Sequence, residues 1–132
     1  MNFVSIRVIT DDVKRLVHFY EQVTGLSAKW STDDFAELVS PSSILAIAST
    51  RTMELFGANA AHPADNHTVI IEFRVNDVDQ EYEKLKTIIS EFVKEPTTMP
   101  WGNRSLLFRD PDGNLINFFT PTSTDAIQKY ER

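Results

Sequence analysis

Apolar and polar residues alternate or recur along the first half of the chain in a way that predicts short strands and one amphipathic helix. Phe3–Ile9 alternates, which is typical of a strand with one buried face. Val13–Thr24 has apolar residues at helical spacing and is followed by Gly25, a good helix terminator. The apolar side of the first strand consists of Val4, Ile6 and Val8. Further strands are expected at Leu26–Trp30, Phe35–Val39 and Ile44–Ala48.

The same order of elements recurs in the second half. Thr68–Val75 alternates like the first strand, and Asp77 begins a second helix. The apolar stripe of this helix consists of Val78, Tyr82, Leu85 and either Ile88 or Ile89. Glu91–Glu95 is a further expected strand, and Thr50–Asn66 is a connector with one helical turn around Met53–Phe56.

Two apolar runs near the C-terminus flank a turn sequence. Ser105–Phe108 and Leu115–Phe119 are separated by Asp-Pro-Asp-Gly-Asn, residues 110–114. Pro111 restricts φ and Gly113 allows positive φ, so these residues predict a β-hairpin. The chain therefore reads as one α+β domain with two βαβββ modules, residues 1–49 and 67–121. A connector, residues 50–66, and a C-terminal helix, residues 122–132, complete it.

Composition limits the classes of partner. The 132 residues are 42% hydrophobic and carry a formal net charge of −6. This charge repels phosphate backbones, so we expect no nucleic-acid partner, although it suits a cationic ligand or serves solubility alone. The absence of cysteine excludes disulfides and thiolate metal sites. Neither a signal-peptide pattern nor a membrane-spanning apolar run is visible, so we expect a soluble cytoplasmic protein without a membrane partner.

The C-terminal motifs resemble those of a known superfamily. The order Trp101-Gly102, then Asp-Pro-Asp-Gly-Asn, then a strand ending in Phe-Phe-Thr-Pro resembles the closing hairpin of the vicinal oxygen chelate superfamily. This superfamily includes glyoxalase I, extradiol dioxygenases and bleomycin-resistance proteins. The segments Val8–Val13, Phe19-Tyr20-Glu21 and Gly25-Leu26, and Phe73–Asp79 in the second half, are similar to its module openings. The resemblance implies two modules whose sheets form an open cup, with helices outside, a ligand cavity inside and a homodimer.

Enzymes of that superfamily hold a divalent metal with His, Glu or Gln from the first and last strands of the modules. The corresponding positions here are Ser5, Ile47, Ile70 and Asn117. None is His, Asp or Glu, so the resemblance implies no metal and no cofactor. Two alternatives stay open: a register slip of one residue, which would exchange the faces of a strand, and a zinc site built from His62, His67 and Asp65.

A ligand is expected to contact a mostly apolar surface with a few polar anchors. Trp101 matches an aromatic residue of bleomycin-resistance proteins, although core packing would also explain Trp101 and Trp30. Arg7 and Arg74 could instead form an ion pair with Glu72. The predicted ligand-binding residues are Ser5, Arg7, Trp30, Phe35, Ile47, Phe56, Ile70, Glu72, Trp101, Asn117 and Phe119.

Three functions are compatible with these residues. The first is a metal-free protein that binds a small aromatic or cationic compound such as an antibiotic, as bleomycin-resistance proteins do. The second is a metal-dependent lyase or dioxygenase of the same superfamily. The third is a cofactor-free enzyme that uses Glu72 as a general base. The fold alone does not decide between them.

Overall fold

Two four-stranded sheets with the same internal strand order form the framework of the protein. In a computed structural model, residues 1–57 and 59–131 are described. The elements in chain order are β1 Ser5–Thr10, α1 Val13–Thr24, β2 Lys29–Thr32, β3 Phe35–Val39, β4 Ile44–Ser49, a 3₁₀ helix Thr50–Leu55, β5 Ile70–Arg74, α2 Val78–Leu85, β6 Lys94–Thr98, β7 Asn103–Arg109, β8 Leu115–Pro121 and α3 Thr124–Tyr130. The expected α+β class and the two βαβββ modules are confirmed.

The chain divides into two compact units. Unit 1 comprises Met1–Asn66 and Asp110–Gly113, and unit 2 comprises His67–Arg109 and Asn114–Arg132. The sheet of unit 1 has the order β1-β4-β3-β2, and that of unit 2 has the order β5-β8-β7-β6. In each sheet the first strand of the module pairs in parallel with the last one. Across the described residues, no helix is both long enough and apolar enough to span a membrane.

One face of the sheet of unit 1 packs against α1. Helix α1 begins at Val13 because Asp12 accepts a hydrogen bond from the backbone N–H of Arg15 at 3.1 Å, and it ends where Gly25 adopts a φ of 74°. The sheet residues of this α1 face are Val8, Ala36, Leu38, Leu45 and Ile47. The burial predicted for Val4 and Ile6 is wrong, because β1 lies at the sheet edge and only its end is covered.

The corresponding face of unit 2 has an aromatic core. Phe118 contacts Phe73 and Phe108 edge-on, with ring centroids 5.6 and 5.0 Å apart. Phe92 continues the cluster by contacting Phe108 and Tyr82. Such pairs contribute about 0.5–1.5 kcal/mol each beyond their buried area. Helix α2 ends at Leu85; of the two residues expected to extend its apolar stripe, Ile88 is exposed and Ile89 is half-buried.

The hairpin predicted from the turn sequence is confirmed. Strands β7 and β8 pair antiparallel, and Gly113 has a φ of 86° in the turn between them. The carboxylate of Asp110 accepts hydrogen bonds from the backbone N–H of Asp112 at 2.9 Å and from the hydroxyl of Tyr20 at 2.7 Å. Tyr20 is fully buried on α1, so this turn belongs to unit 1.

The start of the connector is tied to the β2–β3 turn. The helical turn expected there is present, beginning at Thr50. Arg51 Nε donates to Asp34 Oδ1 at 2.9 Å, and this contact lowers the pKa of the Asp34 carboxyl below its ordinary value. Phe56 directly follows this 3₁₀ helix. The contact between Arg51 and Asp34 therefore restricts the position of Phe56 relative to the β2–β3 turn.

Candidate functional site

The second face of the sheet of unit 1 carries an exposed cation among aromatic rings. Arg7 on β1 pairs with Ala46 on β4, and the two side chains share a face. The guanidinium carbon lies 5.0 Å from the ring centroid of Phe35 and 5.8 Å from that of Phe56. We call this surface, formed by Ser5, Arg7, Phe35, Ala46 and Phe56, the Arg7 face. It combines a positive charge with apolar walls.

The second face of the sheet of unit 2 carries an exposed carboxylate held by an amide. Glu72 on β5 pairs with Asn117 on β8, and Asn117 Nδ2 donates to Glu72 Oε2 at 2.8 Å. Asn117 Oδ1 is buried and has no hydrogen-bond partner within the described residues. Ile70 lies on the same face and is 46% exposed. We call Ile70, Glu72 and Asn117 the Glu72 face.

The ion pair that was an alternative for Glu72 and Arg74 does not form. Arg74 donates instead to the backbone carbonyl of Tyr130, at the end of α3. No Lys or Arg is within ion-pair distance of the Glu72 carboxylate among residues 1–57 and 59–131. Its negative charge is therefore available on the surface of unit 2.

The strand register corrects one of the predicted metal-ligand positions. Ile47 pairs with Val8 and is completely buried on the α1 face, so it does not share a face with Ser5 and Arg7. Asn117 pairs with Glu72, and the equivalent pair in unit 1 is Ala46 with Arg7. The corresponding position is therefore Ala46, whose methyl group cannot coordinate a metal either.

The residues at these positions do not fit a catalytic divalent metal. The Glu72 face offers one carboxylate and one amide oxygen. A catalytic zinc ion, for comparison, is held by three protein ligands. Residues 1–57 and 59–131 contain no group of three or more His, Asp or Glu side chains that could hold an ion. The zinc site considered for His62, His67 and Asp65 is thus not assembled.

Three of the aromatic residues predicted to contact a ligand lie in different environments. Trp30 pairs with Ala36 on the α1 face, which corrects its predicted position on the ligand face, and it is 44% exposed. Trp101 is 67% exposed in the β6–β7 loop, so core packing explains neither tryptophan. Phe119 has the predicted orientation but is only 5% exposed, because its ring lies 5.0 Å from that of Tyr130 on α3.

Comparison with known proteins places the chain in a family. The model of the Glyoxalase/Bleomycin resistance protein/Dioxygenase superfamily matches residues 2–118. The chain belongs to this superfamily. The uncharacterized protein YraH of Bacillus subtilis strain 168 is 28% identical over 125 residues, which cover 90% of this chain and 98% of YraH. The fosfomycin resistance protein FosX of Listeria innocua is 20% identical over 127 residues, covering 96% of this chain and 95% of FosX.

Solved structures of the superfamily share the fold. A glyoxalase/bleomycin resistance protein/dioxygenase from Nocardioides is similar with a TM-score of 0.76 and 22% identity, over 94% of this chain and 85% of that one. A family enzyme from Burkholderia phytofirmans PsJN has a TM-score of 0.75 and 18% identity, over 89% of this chain and 96% of its own. At these identities the likeness concerns the fold, and ligand and activity depend on the local side chains.

Proposed function

We propose that this member of the superfamily binds a small molecule without a metal and sequesters it rather than converting it. The proposal depends on one observation. The four positions at which enzymes of the superfamily are expected to hold their ion carry Ser5, Ala46, Ile70 and Asn117. These side chains offer at most a hydroxyl and an amide, which provide no negative charge for a cation.

The preferred ligand is an aromatic or cationic compound, with an antibiotic as one example. Glu72 supports a positive charge on the ligand, because its carboxylate is exposed and oriented by Asn117. The exposed side chain of Ile70 supplies adjacent apolar surface. The name of the FosX relative, at 20% identity, supports an antibiotic as the class of ligand but not its aromatic character or its charge.

Binding and metal content test this proposal together. Purified protein is dialysed and its metal content measured, and benzamidinium is then titrated before and after chelation. We expect no stoichiometric metal and the same affinity in both titrations. A metal that stays bound through dialysis at one ion per chain would contradict the proposal.

A matched pair of variants tests the role of the carboxylate. Because Glu72 is exposed, its charge contributes only about 0.2–1 kcal/mol, so Glu72→Gln should weaken benzamidinium binding by about 1.5- to 5-fold. Glu91→Gln removes the same charge from another exposed position of unit 2 and should leave the affinity unchanged. Neutral benzamide should not distinguish the two variants. Equal losses in both variants would argue against a contact with Glu72.

The use of Glu72 as a general base stays a separate hypothesis. If the protein proves to have a turnover that needs no metal, Glu72→Gln should abolish it, while Asn117→Ala should reduce it because Asn117 orients the carboxylate. An unchanged rate in Glu72→Gln would remove this hypothesis.

We also propose that the protein forms a homodimer, as the family resemblance implies. The N-terminal strand supports this idea, because β1 is an edge strand and the apolar side chains of Phe3, Val4 and Ile6 are exposed. Light scattering coupled to size exclusion should give twice the chain mass of 15.0 kDa. The variant Ile6→Glu should shift the distribution toward monomer, and a parent protein that is monomeric at high concentration would contradict the proposal.

A further inference from the structure

Arg7 is a cation with unused donors. Its side chain is exposed, and within the described part of the chain its guanidinium has neither a hydrogen-bond nor an ion-pair partner. Arg51 and Arg104, in contrast, are paired with Asp34 and Asp79. A cation–π contact is not a conventional hydrogen bond, and the five N–H donors of this guanidinium have no oxygen or nitrogen acceptor among the described residues. Arg7 can therefore accept an anion without losing a protein contact.

The position of this guanidinium is restricted by two aromatic side chains from different elements. Phe35 is the first residue of β3, and Phe56 follows the 3₁₀ helix. The ion pair of Arg51 with Asp34 joins the start of that helix to the turn before β3. The rings thus approach Arg7 from two segments that are themselves tied together. The Arg7 side chain is therefore already restricted, and it loses less conformational entropy when an anion binds to it.

The surroundings of Arg7 leave space beside the guanidinium, and Asp34, the acidic residue next to Phe35 in the chain, is paired with Arg51. The neighbour of Arg7 on β4 is Ala46, whose small side chain adds no bulk beside the guanidinium. The acidic residue of this sheet face, Glu37, lies two strands away, at about 10 Å between Cα atoms. No ion pair joins Glu37 to Arg7 among the described residues. Lys29 is the register partner of Glu37 on β2 and offsets its charge further.

We propose that Arg7 binds the oxyanion of a small aromatic acid, with the apolar part of the ligand against Phe35 and Phe56. A carboxylate or phosphonate presents two oxygens at the spacing of the guanidinium donors, which permits a bidentate contact. This site belongs to unit 1 and requires a negative charge on the ligand. The proposed function places a positive charge of the ligand at Glu72, so an anion bound by Arg7 goes beyond that function.

Titrations with probes of matched shape and different charge test the inference. Benzoate and phenylphosphonate are the anionic probes and distinguish the two oxyanions, benzylammonium is the cationic probe, and benzyl alcohol is the neutral one. Binding is followed by NMR through the Arg7 Nε–H signal and the ring signals of Phe35 and Phe56. We expect at least one anion to shift these signals, with benzylammonium and benzyl alcohol binding there at least fivefold more weakly.

Three variants separate charge, geometry and a general effect of surface charge. Arg7→Gln should weaken anion binding by about fivefold or more, whereas Arg7→Lys should recover part of the affinity because it restores a point charge without the planar fork. Arg15→Gln removes an exposed arginine from α1 of the same unit and should leave the affinity unchanged.

The possible results overturn different claims. Anion binding that survives Arg7→Gln, or benzylammonium binding at Phe35 and Phe56 as tightly as benzoate, would overturn the inference about Arg7. If benzylammonium binds only at the Glu72 face and no anion binds, this inference fails while the proposed function stands. If anions bind at Arg7 and no cation binds at Glu72, the inference stands and the preference proposed for Glu72 fails.

Discussion

Replacing Tyr20 with phenylalanine removes one hydroxyl from the interior of unit 1 and leaves the ring in place. In the parent protein this hydroxyl donates to Asp110 at 2.7 Å, and both residues are buried. Hydrogen bonds to charged groups contribute about 1.5–3 kcal/mol, and a buried acceptor that loses its donor also keeps its desolvation cost. Because Asp110 retains its bond from the N–H of Asp112, we expect a loss of about 2 kcal/mol.

The cost of this substitution should depend on pH in a defined direction. Burial, and then the charge of Asp110 and the hydrogen bond to it, raise the pKa of Tyr20 well above its ordinary value. Stability from the protonated phenol is therefore fully present below the unfolded pKa of about 10 and is lost as the pH rises above it, by about 1.4 kcal/mol per pH unit. The phenylalanine variant has no such loss.

Urea unfolding followed by circular dichroism at pH 8, 9.5 and 11 measures both effects. The free energy of unfolding should be about 2 kcal/mol lower for Tyr20→Phe at pH 8, and the gap should shrink by about 1.4 kcal/mol at pH 11. Tyr130→Phe serves as the control, because the hydroxyl of that half-buried residue has no hydrogen-bond partner among the described residues, and the change should stay within about 0.5 kcal/mol at pH 8. A gap below 0.5 kcal/mol at pH 8, or one independent of pH, would refute the reasoning.

Other substitutions probe the turn at Gly102, the connector and the core. A Cβ at Gly102, whose φ is 93°, would lie 2.0 Å from Ser123 Oγ, so Gly102→Ala should lower the free energy of unfolding by about 1–3 kcal/mol, and a variant as stable as the parent would contradict this. Arg51→Gln should raise the pKa of Asp34, which is measured by NMR titration of its carboxyl. On acidification, the stability that the ionised Asp34 contributes should then be lost at a higher pH than in the parent protein. An unchanged midpoint of the Asp34 titration would contradict the pairing with Arg51. Phe118→Ala should cost about 3–5 kcal/mol in urea unfolding because the side chain is 1% exposed, and a loss below 1 kcal/mol would argue against its central place in unit 2.

Local signals in the sequence were sufficient for the elements whose ends are chemically marked. Helix α1 has the predicted bounds because Asp12 caps its start and Gly25 ends it. The hairpin of β7 and β8 follows from its turn residues. Strand β6 lies three residues later than predicted, since Phe92 turns inward toward Tyr82 instead of continuing an alternating strand. Such an inward turn depends on a tertiary contact that sequence alternation does not show.

The faces of the strands were harder to predict than the strands themselves. Strand β4 is apolar on both sides, so alternation cannot tell whether Ala46 or Ile47 shares a face with Arg7. Only the pairing with β1 settles that question. The face on which Trp30 lies was hard to predict for a similar reason, because the β2–β3 register is irregular directly after Trp30.

The contact between Tyr20 and Asp110 had no sequence signal at all. The two residues are 90 positions apart, and each has an ordinary local explanation, one in the apolar stripe of a helix and the other in a turn. An Asp at the start of a turn commonly bonds to its own backbone, as Asp110 does with the N–H of Asp112. Its second oxygen is used for a long-range contact that only the folded structure of unit 1 reveals.

Arg7 and Glu72 occupy the same place in the two modules, and this equivalence makes ligand charge the most informative property to test. Each is the third residue of the first strand, and each is paired in parallel with the last strand, Arg7 with Ala46 and Glu72 with Asn117. The repeated fold therefore places a charged side chain at this position in each module, and the two signs are opposite. Since Ala46 offers no hydrogen bond, Arg7 depends on aromatic contacts for its position, whereas the amide of Asn117 holds Glu72. An anionic probe should consequently lose most affinity in Arg7→Gln and a cationic probe in Glu72→Gln, and an anionic probe that lost more affinity in Glu72→Gln than in Arg7→Gln would contradict this assignment of charge.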